Sequence, residues 1–199
     1  MKRAQVFEET YHDYLFRLQK VNILDRAEKL GAKIIGDELA VPFFNNEFLV
    51  SAEGIRSNNG EKVPFAVKVV LSRYILMCPE NVQQCDAHLV SYREFKDAAP
   101  LISYFTTNTS KTIEIAYSGD LERLYNKCKK AGGVEQDYPG YDLSMMFHAL
   151  PRIPLYLNFN DADDEFPAKC VILYKSDAEK FLDMECLAIT GTYLVGQLI

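Results

Sequence analysis

The chain has 199 residues, 48% hydrophobic and 25% charged, a composition that supplies a full-sized core and excludes a low-complexity or disordered protein. Acidic residues outnumber basic ones 28 to 22, a net charge of -6, so the overall field repels a phosphate backbone and argues against nucleic-acid binding. The apolar run 63–77 is broken by Lys68, Ser72 and Arg73, too short and too charged to span a bilayer, so no membrane association is expected.

The length and the lack of a linker rich in Pro, Gly or Ser predict one domain over residues 1–199. The opening MKRAQVFEETYHDYLFRLQK places Glu8, Glu9 and Asp13 where a signal peptide needs an uninterrupted apolar stretch, so a cytoplasmic protein is expected. Over residues 5–18, Phe7, Tyr11, Tyr14, Leu15 and Leu18 recur at spacings of three and four, the pattern of an amphipathic helix. A second helical segment runs from Asn22, a candidate N-cap, through Leu24, Ala27 and Leu30 to a stop at Gly31. The segment AKIIGDELAVPFFNNEFLVSAEG then predicts an antiparallel meander of three strands, 33–35, 38–44 and 47–52, with turns at Gly36-Asp37 and Asn45-Asn46 and with Pro42 interrupting the middle strand. The turn Asn58-Asn59-Gly60 closes that unit.

Beyond Pro64, Val67, Val70, Leu71, Tyr74 and Ile75 predict a deeply buried helix over 66–77, stopped by Pro79. Residues 85–110 mix a short helix, an aromatic patch and a Thr/Ser-rich loop. Ser118-Gly119-Asp120, the amphipathic LERLYNKCKK and Gly132-Gly133 give a cap, a body and a stop for a helix over 121–130. Its basic end, Arg123, Lys127, Lys129 and Lys130, reads as a solvated helix terminus in preference to a phosphate site. Alternation then predicts strands over 143–150 and 155–159. A strand over 170–174, apolar on both faces, is expected to be central, and a helix over about 186–198 closes the chain. The expected class is therefore α+β, with antiparallel or mixed sheet units covered by helices and a helix at each end.

Five cysteines, Cys78, Cys85, Cys128, Cys170 and Cys186, form no CxxC pair and are odd in number, as expected of free thiols in a reducing compartment. Cys170 and Cys186 fall in apolar patterns where a thiol packs as a small hydrophobe. The loop Asp161-Ala162-Asp163-Asp164-Glu165 is the densest set of hard oxygen ligands, and Asp161 and Asp163 are its candidates for Ca2+ or Mg2+, although the glycine and distal glutamate of an EF-hand loop are missing. An acidic turn serving solubility is the competing reading. None of His12, His88 and His148 has metal-type spacing; His148, beside Met146 on the less apolar face of its strand, and Cys170 are the candidates for a nucleophilic pair, without a local signature to support it. Phosphate loops and the GxSxG elbow are absent from the sequence.

The stretch 150–185, which joins two apolar runs through the acidic loop and enters a helix, is the most distinctive part of the chain. With VPFFNNEFLVSAEG, VPFAVKVVLSRYIL, SYREF, LPRIP and DEFPA in this order, the chain resembles, over nearly its whole length, the bacterial and archaeal family called domain of unknown function 3786. The resemblance implies an uncharacterised family typical of anaerobes, with members associated with iron-sulfur cluster segments or corrinoid proteins. This chain lacks the closely spaced four-cysteine block of the cluster-bearing members, so no cofactor is assigned and no catalytic residue carries over. The shared elements direct attention to Arg93, Arg152, Asp164 and Glu165, as ligand contacts or as an ion pair that orders residues 150–168. The leading expectation is a cytoplasmic binding or accessory module, not an enzyme, acting with a protein partner or metallocofactor protein in anaerobic metallocofactor or corrinoid metabolism. The alternatives are a small enzyme using His148 or Cys170 with Asp164 or Glu165 in the 147–170 region, and a purely structural interaction domain.

Overall fold

The computed structural model describes residues 2–82 and 87–199, with side chains from Glu8 onward; Cys85 and the Phe7 side chain lie outside the described part. Helix α1 (Lys2–Leu18) turns Tyr11, Leu15 and the fully buried Leu18 toward helix α3 (Phe65–Leu76), leaving Phe16 in solvent. The Tyr11 hydroxyl accepts the Ile55 N–H at 2.9 Å, and the Lys68 ammonium sits 4.2 Å above the Tyr11 ring. The second helical segment is a 3-10 turn at Leu24–Arg26 running into helix α2 (Ala27–Leu30), with the Asn22 side chain accepting the Leu24 N–H. Gly31, at φ 67°, ends it: its N–H and that of Ala32 bond back to Glu28 and Ala27, a left-handed cap that a side chain would strain and that Pro151 crowds.

The meander has a fourth strand beyond the three expected: β1 (Lys33–Ile35), β2 (Glu38–Phe43), β3 (Asn46–Val50) and β4 (Ile55–Ser57) pair in that order, all antiparallel. Pro42 does not interrupt β2. The neighbouring β1 reaches only residues 38–40, so the edge beside Pro42 is open and its missing N–H breaks no ladder on that side.

The second sheet has the order β5-β9-β8-β7-β6, formed by Leu89–Ser91, Lys169–Lys175, Ile153–Asn160, Leu143–Leu150 and Val134–Glu135. It too is wholly antiparallel, which settles the sheet type against a mixed one. The strand expected at the centre, β9, stands one place off it, because the three-residue β5 is its only outer neighbour. Residues 87–110, the described part of the next segment, also differ from expectation. The Thr/Ser-rich stretch is not a loop but the junction of helices α4 (Ile102–Asn108) and α5 (Ser110–Tyr117). Thr109 is buried there, and its hydroxyl donates to the Phe105 carbonyl at 2.6 Å, which satisfies the side chain where the helix bends.

Alternation on β7, β8 and β9 sorts the sheet into two faces. Leu143, Met145, Phe147, Leu155, Leu157, Phe159, Cys170, Ile172 and Tyr174 are all buried on the face covered by α5, α6 (Leu121–Lys130) and α7 (Met184–Leu198). Asp120 caps α6 by accepting the Arg123 N–H, and Asp183 caps α7 by accepting the Cys186 N–H at 2.9 Å. The Tyr174 hydroxyl donates to the Leu187 carbonyl within that layer. Where β2 meets β7, the Phe44 N–H bonds the Ala149 carbonyl at 3.0 Å, and Phe43 and Phe44 pack on Tyr193 of α7. The buried side chains of both sheets thereby join in one hydrophobic cluster.

Candidate functional site

The acidic loop connects β8 to β9 at the end of the second sheet, where α5 and residues 140–142 approach it. Together they enclose an open cleft of about 770 Å3. Tyr141 and Phe166, 38% and 66% exposed, stand at its walls, and Lys111, Glu114, Asp142 and Lys169 supply charge. The volume suits a small organic ligand.

The carboxylates of this cleft are tied to the protein itself. Asp161 Oδ1 accepts the N–H groups of Gly119 at 2.6 Å and Ala162 at 2.8 Å. Asp163 Oδ1 accepts those of Glu165 at 2.8 Å and Phe166 at 2.7 Å, the geometry of an Asx turn. These bonds, with Phe166 foremost, hold the Asp163 carboxyl below its ordinary pKa. Asp142 Oδ2 accepts the Asp161 N–H at 2.8 Å, and Glu114 divides its oxygens between the Cys170 N–H at 3.1 Å and the Lys111 ammonium at 2.6 Å. Asp161 and Asp163 thus both line the cleft, each bonded to a different stretch of backbone. No group of three or more His, Cys, Asp or Glu side chains is arranged to hold a metal ion among the described residues. Asp164 and Glu165 are exposed at the loop tip and do not line the cleft.

The sheet separates the two candidates for a nucleophilic pair. Cys170 aligns through Phe159 with Leu143, whereas His148 lies opposite Pro154, five positions along β7 and on the other face. That offset is roughly 16 Å along the strand. His148 is exposed, while Cys170 is 4% exposed, with its thiol pKa pushed up first by burial and then by the Glu114 charge. Neither residue lines the cleft.

Arg93 is exposed and shares with Cys170 the border of a crevice of about 80 Å3, room for waters only. Its neighbours in SYREF serve the fold: Glu94 closes a capping box on Ser91, and the Tyr92 hydroxyl donates to the Met184 carbonyl at 2.8 Å. Arg152 caps a helix, and among the described residues it forms no ion pair. Its Nε donates to the Lys29 carbonyl at 2.8 Å and an Nη to the Glu28 carbonyl at 2.9 Å, at the C-terminal end of α2, where the helix dipole favours a cation.

Sequence reasoning found the acidic loop but missed Lys111, Glu114, Tyr141 and Lys169, which carry no motif and meet the loop only through the packing of α5 and the start of β7. It also missed a second cleft of about 700 Å3 near the start of α7, where Met77, Leu101 and Met184 lie close to the Arg73 and Asp183 ion pair, 2.5 Å apart. That cleft exposes more apolar surface than the first, although Lys96, Asp97, Glu179, Lys180 and Glu185 also line it.

Two antiparallel sheets sharing one core with a helical layer, and a ligand-sized cleft at the end of the larger sheet, define an α+β protein with a candidate binding site. The chain belongs to the family described as Domain of unknown function (DUF3786), whose model matches residues 22–197, leaving α1 ahead of the matched segment. Searches of curated proteins and of solved structures found no match to the chain. No described helix is long and apolar enough to cross a membrane.

Proposed function

We propose that the protein is a binding module that holds a small organic molecule in the cleft between α5 and the β8–β9 loop, and that it carries out no chemistry of its own there. The observation that supports this most is the state of the cleft's carboxylates: Asp161, Asp163 and Glu114 are each held by two hydrogen bonds or ion pairs from the protein. Asp161 and Asp163 are held through Oδ1 and Glu114 through both its oxygens, which fixes these carboxylates as a rigid polar rim beside exposed aromatic walls, the lining of a binding site. We place the module beside a metallocofactor or corrinoid protein as its partner, the setting that the family resemblance implies.

The test is to purify the protein without oxygen from its native host and record its absorption spectrum, metal content and native mass. A stoichiometric organic passenger that is lost from the Tyr141→Ala/Phe166→Ala variant is the expected result. A passenger retained by that variant, or protein without one, would remove the cleft from consideration. A corrinoid or iron-sulfur band in the same preparation would identify the partner chemistry.

A further inference from the structure

The face of the second sheet that the helices do not cover hides two polar groups that have no hydrogen-bond partner among the described residues. Ser144 on β7 and Asn158 on β8 stand opposite each other, 4% and 2% exposed, and neither the Ser144 hydroxyl oxygen nor the Asn158 carboxamide oxygen makes a hydrogen bond. Buried polar atoms are nearly always paired, and a neighbouring pair left unpaired in one sheet calls for an explanation such as a bound group.

Strand geometry says where that group would come from. Residues alternate in direction, so Ser144 and Asn158 share their face with Asp142, Asn160 and Lys169, the next row toward the end of the sheet. All three of those residues line the cleft. The unpaired groups therefore lie one row deeper than the cleft lining, a step of roughly 7 Å. The segment 137–141 passes over this row: the Tyr138 ring meets Tyr156 of β8 at 6.4 Å, and the Gly140 carbonyl accepts from Asn160 Nδ2 at 3.2 Å.

We propose that Ser144 and Asn158 form the inner end of the cleft and receive the amide-type edge of a ligand, a C=O beside an N–H on a small planar ring, beneath the turn that carries Tyr138. This inference rests on the reading of the cleft as a ligand site. A carboxamide offers one donor edge and one acceptor edge and pairs with such a group through two parallel hydrogen bonds, while the serine hydroxyl donates or accepts as required. Tyr138 and Tyr156 supply flat apolar surface for the ring.

The probe is 2-pyridone, a planar lactam, with N-methyl-2-pyridone as the control that lacks the N–H; each is titrated into the isotopically labelled full chain and followed by NMR. The expected result is a saturable shift of the Asn158 side-chain amide and the Ser144 backbone amide with 2-pyridone, at least tenfold weaker binding of the control, and loss of the response in Asn158→Leu. Because Asn158→Leu alters packing, Ser144→Ala is run beside it and should weaken 2-pyridone several-fold without lowering the melting temperature. Equal affinity for the two compounds, or an unchanged response in both variants, would overturn the inference. So would shifts confined to Tyr141 and Phe166, which would leave the cleft as a ligand site but deny it this inner end. If no resonance moves with either compound, the two groups hold internal water only and the inference falls, while the passenger experiment still decides the cleft.

Discussion

The Tyr74 hydroxyl accepts the backbone N–H of Arg152 at 3.2 Å while donating to the Leu30 carbonyl at 2.6 Å, so one buried oxygen joins α3, the end of α2 and the turn between β7 and β8. Burial pushes the Tyr74 phenol strongly upward, which keeps it a neutral donor throughout the physiological range. Arg152 completes the junction from the other side with its fork on Glu28 and Lys29.

Removing either side chain should loosen this junction. Tyr74→Phe strips a partner from the buried Leu30 carbonyl and the part-buried Arg152 N–H and is expected to cost about 1–3 kcal/mol in chemical denaturation. Arg152→Ala should cost on the order of 2 kcal/mol, and Arg152→Lys should recover only part of it, since an ammonium does not reproduce the planar fork. An unchanged denaturation midpoint for Arg152→Ala would refute the capping role.

Gly191 reverses the usual helix rule. A glycine inside a helix is ordinarily improved by alanine, by about 1 kcal/mol. Here an added Cβ would lie 2.5 Å from Phe105 Cε2 and 2.9 Å from the Tyr174 hydroxyl oxygen. Both neighbours are buried, so Gly191→Ala should destabilise by roughly 1–3 kcal/mol through overpacking. A melting temperature that rises instead would show that the α4 and α7 contact yields more readily than this packing implies.

Thiol reactivity should follow burial. Desolvation pushes Cys128 up to about 12 and Cys170 and Cys186 further still, whereas Cys78 is partly exposed and its upward shift is opposed by Arg26 and Lys29. Of these four, Cys78 should be alkylated first by iodoacetamide under native conditions, and the other three only on unfolding. Peptide mapping that finds Cys170 modified as fast as Cys78 would revive it as a nucleophile.

Asp163 gives a pH signature. Its folded carboxyl is held below the ordinary pKa by the Phe166 and Glu165 N–H groups, so its support of the loop is complete above the usual carboxylate range and is lost as pH falls through the lowered value. The Phe166 amide resonance should titrate below the unperturbed aspartate value, and Asp163→Asn should abolish that titration. Addition of Ca2+ or Mg2+ should leave the melting temperature unchanged, because Asp161 and Asp163 are bonded to separate stretches of backbone.

Much of the fold was legible because local rules agreed with it. The Asp120 cap, the basic last turn and the Gly132-Gly133 stop bounded α6 at Leu121–Lys130, and strict alternation bounded β7 at Leu143–Leu150. The α4 and α5 junction was not legible, because Thr and Ser favour loops until a tertiary contact buries them, as it does Thr109. The strands β4, β5 and β6, two or three residues each, are too short for any periodicity and exist only because a longer partner offers an edge.

By itself, then, the sequence determined the α+β class, the family, the longer helices and strands and the position of the acidic loop, since each rests on spacing along the chain. Tertiary structure alone decided that His148 and Cys170 face opposite ways, that Arg152 caps a helix more than a hundred residues earlier, and that Lys111, Glu114 and Tyr141 meet Asp161 around one cleft. These are contacts between distant segments, and no local pattern records which strand edge or helix end a side chain will reach when the core closes.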